Sequence, residues 1–206
     1  MDDPVFIDPA EGKQAAFEIV AIATSAGGLN ALSIVLGGLP IDFPVPIVVV
    51  QHLDPRHRSL MADILSRRTP LTVKQAEAND RLQPGSIYIA PPNRHLLVNA
   101  DGTLSLTQTE LVHFVRPSAD LLFDSVAASY KHQAIAVVLT GTGTDGDMGV
   151  TAIKAMGGTV IAEDPNTAAF SGMPQTAIRT GSVDFVLPLS EIALALITLV
   201  TTGDPA

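Results

Sequence analysis

The chain has 206 residues, 47% of them apolar and only 4% aromatic, which suits one α/β domain with an aliphatic core. Twenty-one acidic against 12 basic residues give a net charge of -9 with no Lys/Arg cluster to offset it, which speaks against nucleic acid as a partner. There is no cysteine, so disulfides, thiolate nucleophiles and Cys-built zinc sites are excluded, and no apolar run approaches the roughly 20 residues of a membrane span.

Residues 1–16 are acidic and broken by proline; they read as a flexible arm ahead of one domain over residues 17–203. The arm lacks the basic and apolar regions of a signal peptide, so a cytoplasmic location is expected. Glu18–Ala23 predicts a buried strand ending at Thr24-Ser25-Ala26-Gly27-Gly28. Leu29, Leu32, Leu36 and Leu39 recur at helical spacing until Gly37-Gly38 and Pro40 stop the helix. Pro46–Val50 predicts a second buried strand, completing a βαβ unit. A helix is expected near Ser59–Arg67, a strand near Leu71–Gln75 and, after the Pro84-Gly85 turn, a strand over Ser86–Ala90. Leu96–Thr107 alternates around Asp101-Gly102, a hairpin signal. Residues 118–130 read as a helix with Pro117 at its start, followed by a strand over Ala134–Leu139 and the loop Thr140-Gly-Thr-Gly-Thr-Asp-Gly146. A helix to about Met156, a strand ending at Ala162 and a C-terminal amphipathic helix complete the series.

This alternation predicts a doubly wound, mostly parallel sheet with helices on both faces and a small antiparallel hairpin. In such folds, sites form where loops leave the carboxyl ends of the strands. Three loops stand out, beginning at Ser25, His52 and Gly141.

Ser25 and His52 end consecutive predicted parallel strands, so a right-handed crossover brings them side by side. A serine becomes a nucleophile when an imidazole takes its proton and a buried carboxylate fixes that imidazole. Asp145, in the glycine-flanked loop after the third strand, is placed to be that carboxylate. Asp147 is the alternative, but it enters the next helix, where an acid serves the N-terminal dipole. Taken singly, such a serine is more often a helix cap and such an aspartate a turn residue. Their shared position at one sheet edge favours chemistry.

Six blocks occur in order: Ile22-Ala-Thr-Ser-Ala-Gly-Gly28, Val48-Val-Val-Gln-His52, Tyr88-Ile-Ala-Pro91, Arg116-Pro-Ser-Ala-Asp-Leu-Leu-Phe123, Leu139-Thr-Gly-Thr-Gly-Thr-Asp-Gly146 and Ser171-Gly-Met-Pro174. Together they resemble the catalytic domain of the chemotaxis protein-glutamate methylesterase family, CheB. The resemblance implies hydrolysis of γ-glutamyl methyl esters on chemoreceptor cytoplasmic helices, with deamidation of receptor glutamines as a companion activity. It places the nucleophile on Ser25, the base on His52 and the orienting acid on Asp145, with no metal or organic cofactor. Methylated chemoreceptors are the implied partners, and a receiver or methyltransferase domain on another or longer chain is a further one.

Two departures touch the oxyanion and substrate-binding positions. Ser25-Ala26-Gly27-Gly28 stands where the family commonly has Ser-Thr-Gly-Gly, and Gly141-Thr142-Gly143 where it has Gly-Met-Gly. The backbone N–H groups of Ala26, Thr142 and Gly143 survive both changes. The 16-residue arm is too short for the family's receiver domain, so ester hydrolysis without a phosphodonor is expected. Three rival readings remain. Gly141-x-Gly143-x-x-Gly146 invites a nucleotide-binding Rossmann-like module, and His52-x-Asp54-x-x-His57 a metal enzyme. The third is a non-catalytic interaction domain that keeps the fold. His95, His113 and His132 read as surface or structural histidines, and Met148 and Met173 as packing residues.

Overall fold

The computed structural model describes residues 17–52 and 59–202. The expected arm, together with Asp54 and His57 of the metal reading, lies outside the described residues. The described elements follow in chain order: β1 (Ile19–Thr24), α1 (Gly28–Gly37), β2 (Ile47–Gln51), α2 (Met61–Leu65), β3 (Thr72–Gln75), β4 (Ser86–Ile89), β5 (His95–Val98), β6 (Leu104–Thr107) and α3 (Ala119–Tyr130). Then come β7 (Ala134–Val138), α4 (Asp147–Ala155), β8 (Thr159–Glu163), α5 (Gly172–Arg179), β9 (Phe185–Leu187) and α6 (Leu189–Thr202).

The main sheet has the order β3-β4-β2-β1-β7-β8-β9, and every pairing in it is parallel. The antiparallel pairing of β5 with β6 forms the separate hairpin expected around Asp101-Gly102. Chain order runs outward from β1 through β2 on one side and from β7 to β9 on the other. The carboxyl ends of β1 and β7 therefore flank a topological switch point, where loops diverge and leave a crevice.

Central strands are buried on both faces, and alternate residues serve different layers. Val20, Ile22, Ile47, Val49, Ile135 and Val137 pack in one cluster with α1, α2 and α6. Ile19, Ala21, Ala23, Ala134, Ala136 and Val138 pack in the other with α3, α4, α5 and the hairpin. Alanines dominate the second face of β1 and β7, and small side chains there admit α3 close to the sheet.

Two elements were not anticipated. α5 carries Pro174 in its first turn, where a proline is tolerated although it reads as a break. β9 is a three-residue edge strand, too short to show a period. The start of α3 also shifts: Ser118 is the N-cap, accepting a hydrogen bond from the Leu121 N–H, and Pro117 precedes the helix. The 59–67 helix shortens to Met61–Leu65.

Glycine sets how closely α3 and α4 approach. A Cβ on Gly149 would lie 2.6 Å from Phe123 Cβ and 3.1 Å from Asp120 Cα. Gly149→Ala should therefore cost about 1–3 kcal/mol, the usual range for overpacking, read as a lower urea midpoint at unchanged m-value. An unchanged midpoint would show that the two helices can separate freely.

Candidate active site

Register brings the first two candidate residues together. Thr24 pairs with Gln51 across β1 and β2, and the His52 N–H donates to Thr24 O at 3.2 Å. Ser25 and His52 are thus the next residues on neighbouring strands. Gln51 straps them: its Nε2 donates to Ser25 O (2.7 Å) and to His52 O (2.9 Å). Thr140, at the end of β7, ties the serine loop from the other side. Its carbonyl accepts the Ser25 N–H (3.0 Å) and the Thr24 hydroxyl (2.7 Å), and its own hydroxyl donates to Ala26 O (3.0 Å). The Thr140 N–H in turn donates to the fully buried Glu163 at 2.8 Å, a carboxyl that burial pushes above its usual range.

His52 and Asp145 meet directly. His52 Nε2 lies 2.8 Å from Asp145 Oδ2, with the two side chains 12% and 4% exposed. The N-terminus of α3 wraps the same carboxylate: Ala119 N–H donates to Oδ2 at 2.5 Å, Ser118 Oγ to Oδ1 at 2.7 Å and Asp120 N–H to Oδ1 at 3.3 Å. Burial alone would raise the Asp145 pKa, but hydrogen bonds from His52, Ala119 and Ser118 outweigh it and hold the carboxyl below its usual value. An ionised carboxylate only accepts, so the neutral imidazole carries its proton on Nε2. Nδ1 is then the basic nitrogen. Among the described residues no hydrogen bond joins Ser25 Oγ to His52, so the two residues the crossover was expected to bring side by side are neighbours without a side-chain hydrogen bond.

Close approach defines the rest of the site. A Cβ on Gly141 would fall 2.3 Å from Met173 Sδ and 2.9 Å from Ser25 Cβ, so only glycine fits beside the serine. A Cβ on Gly28 would strike Gln51 Oε1 at 1.9 Å. Gly143 takes φ +92° in open space. Among the described residues, the N–H groups of Ala26, Thr142 and Gly143 donate to no protein acceptor. They are available to an incoming oxygen.

The comparisons with known proteins agree with this architecture. The family model for CheB methylesterase matches residues 20–196. The chain belongs to the CheB methylesterase family. A Thermotoga maritima relative named protein-glutamate methylesterase/protein-glutamine glutaminase is 42% identical over 89% of this chain, which spans 54% of that protein. A Leptospira interrogans relative, provisionally given the same name, is also 42% identical and is spanned over 95% of its length. The crystal structure of the Thermotoga maritima CheB methylesterase catalytic domain superposes with a TM-score of 0.86 at 43% identity, covering 89% of this chain and 99% of that one.

Several residues of this CheB-family site escaped the sequence reading. Gln51, Ser118, Thr140 and Glu163 are polar side chains whose partners lie far along the chain. Ser118 alone carried a signal, as a serine just before a helical run. Of the histidines set aside, His95 is fully buried and structural: Ser118 N–H donates to its Nδ1 (3.1 Å) and its Nε2 donates to Glu110 O (3.0 Å). Met173 packs as expected at 1% exposure, whereas Met148 is 64% exposed and is not a packing residue.

The nucleotide-binding reading loses its anion site. The N–H groups of Gly146 and Gly149, at the start of α4, donate to Asp120 Oδ1 at 3.0 and 2.8 Å, so a carboxylate already fills the place of a phosphate. The His52-based metal reading loses a ligand atom, because Nε2 is engaged by Asp145.

Ser118 serves both the helix and the carboxylate. Ser118→Ala should cost about 1–2 kcal/mol at neutral pH, the range for a lost N-cap. With its folded-state pKa depressed, ionised Asp145 contributes stability that is present above the ordinary aspartate range and lost as pH falls through the folded value. The Ser118→Ala cost should therefore shrink in acid. Urea melts at neutral pH and at the lowest pH that keeps the fold would check this. Equal costs at both would mean that Ser118 acts on the helix alone.

Proposed function

We propose that the chain is a serine hydrolase that demethylates γ-glutamyl methyl esters on chemoreceptor helices, with deamidation of glutamines at the same site. Ser25 is the nucleophile, His52 the general base and Asp145 the carboxylate that orients the imidazole. The observation that carries this reading is the 2.8 Å contact between His52 Nε2 and the buried Asp145, with Ser25 beside His52 at the sheet's carboxyl edge.

The chemistry follows from the tautomer. Asp145 holds Nε2–H, so Nδ1 takes the hydroxyl proton as Ser25 Oγ attacks the ester carbonyl. This is the reverse of the trypsin-like triad, in which Nδ1–H faces the carboxylate. A rotation of the serine side chain closes the contact in the substrate complex. The tetrahedral oxyanion is met by the free N–H groups of Ala26, Thr142 and Gly143. The imidazolium returns its proton to the departing methoxide, releasing methanol and leaving glutamyl bound to Ser25 as an ester. Water, deprotonated by Nδ1, attacks that ester, and the proton passes back to Ser25 as the glutamate carboxylate leaves. With a glutamine substrate the first leaving group is ammonia.

A helix on a receptor also needs somewhere to rest. Phe114, Met148 and Phe170 are exposed, Phe114 by 94%. Phe114 adjoins His113, which lies against Asp120; Met148 is the second residue of α4; Phe170 O accepts the Gly141 N–H. Such apolar side chains beside a site suit a protein substrate better than a small polar one.

Methanol release from methylated receptor membranes tests the assignment. Ser25→Ala should abolish turnover, and Asp145→Asn should lower it by about 10⁴-fold with the fold intact, as in other triads. Greater damage from Asp147→Asn than from Asp145→Asn would overturn the choice of carboxylate.

A further inference from the structure

A second cluster of ionisable groups is built where α3 and α4 meet. Asp120, the second residue of α3, is 3% exposed, and its Oδ1 is taken by the Gly146 and Gly149 N–H groups. Its Oδ2 is buried without a hydrogen bond; His113 Nε2 stands 3.2 Å away but lacks hydrogen-bond geometry. Asp147, the first residue of α4, also buries its Oδ1 without a hydrogen-bond partner. One ligand atom from each of His113, Asp120 and Asp147 lies within 4.8 Å of the other two. We propose that these three side chains form a divalent-cation site of the histidine-plus-two-carboxylate kind, suited to Mn²⁺ or Zn²⁺.

Three physical arguments carry this. Buried polar atoms in native proteins nearly always have partners, yet Asp120 Oδ2 and Asp147 Oδ1 have no hydrogen bond. The charge balance is also open. Asp145 has His52, two backbone N–H groups and a hydroxyl. Asp120 has two N–H groups on Oδ1 but only the His113 ring near Oδ2, and Asp147 Oδ1 has no hydrogen-bond partner.

Geometry fits as well. Bonds of about 2.0–2.2 Å to nitrogen and oxygen place neighbouring ligand atoms roughly 2.8–3.6 Å apart, from octahedral to tetrahedral angles; His113 and Asp120 stand 3.2 Å apart, and an Asp147 atom lies within 4.8 Å of both. The positive end of α4 does not repel the ion, because Asp120 Oδ1 already occupies its N–H groups. His113 is 40% exposed, which leaves an approach for the ion and room for water ligands. Imidazole with two carboxylates suits Mn²⁺ and Zn²⁺ better than Ca²⁺, which prefers an all-oxygen shell. The rival occupant is a proton shared between the two carboxyls.

Titration of the chelator-treated protein with Mn²⁺ near neutral pH, followed by electron paramagnetic resonance, separates the two. A bound fraction should saturate at one ion per chain, be displaced by Zn²⁺, and raise the thermal midpoint as a native-state ligand does. His113→Gln and Asp147→Asn should each weaken binding at least about tenfold, since even outer-shell changes cost that much, while the metal-free variants still melt cooperatively. No binding at millimolar Mn²⁺ or Zn²⁺ would leave the proton as occupant and overturn the proposal. Binding unchanged in both variants would place the ion elsewhere and overturn it equally.

Discussion

The arrangement depends on a single buried carboxylate. Asp145 reaches across 93 positions of sequence to His52 while four donors hold it, three of them at the start of α3. An ionised group at 4% exposure would be costly if unpaired. Here the helix N-terminus supplies N–H groups and dipole, Ser118 supplies a hydroxyl, and the imidazole completes the set. These donors are fixed by the fold before any substrate arrives. The carboxylate is thereby kept ionised, and an ionised carboxylate decides which imidazole nitrogen is basic. The same network fixes His95, whose Nδ1 receives the Ser118 N–H.

The fold delivers this contact through the sizes of its side chains. Ala21, Ala23, Ala134 and Ala136 line one face of the two central strands, whereas Val20, Ile22, Ile135 and Val137 line the other. The smaller face lets α3 settle close, so its first turn arrives at the carboxyl edge. Gly149 then lets α4 close on Phe123, and Gly141 lets the third loop pass within contact of Ser25. Backbone proximity is achieved by keeping side chains small or absent, and a methyl group on Gly149 would press on Phe123 and Asp120, in the first turns of the helix that holds Asp145.

Legibility in the sequence followed how local each signal was. The strands carrying Ser25 and His52 are continuous apolar runs, so their ends, and with them both residues, could be read directly; Asp145 stood out through its flanking glycines. Gln51 and Thr140 gave no such mark. Each is a polar residue at a strand end, and its importance lies in bonds to residues 26 and 114 positions away. Asp120 was invisible for the same reason: in a helical run it reads as a first-turn acid, and only the packing of α4 shows that it caps a second helix. The missed α5 and β9 are short, and one contains a proline, so neither offered a period to detect.

The central claim is that ionised Asp145 selects the His52 tautomer and leaves Nδ1 to act on Ser25. Nitrogen-15 spectra of the imidazole, taken at a pH where the ring is neutral, test it most directly. The account predicts a protonated Nε2 and an unprotonated Nδ1, with the preference lost in Asp145→Asn. A protonated Nδ1 in the unaltered protein would contradict it.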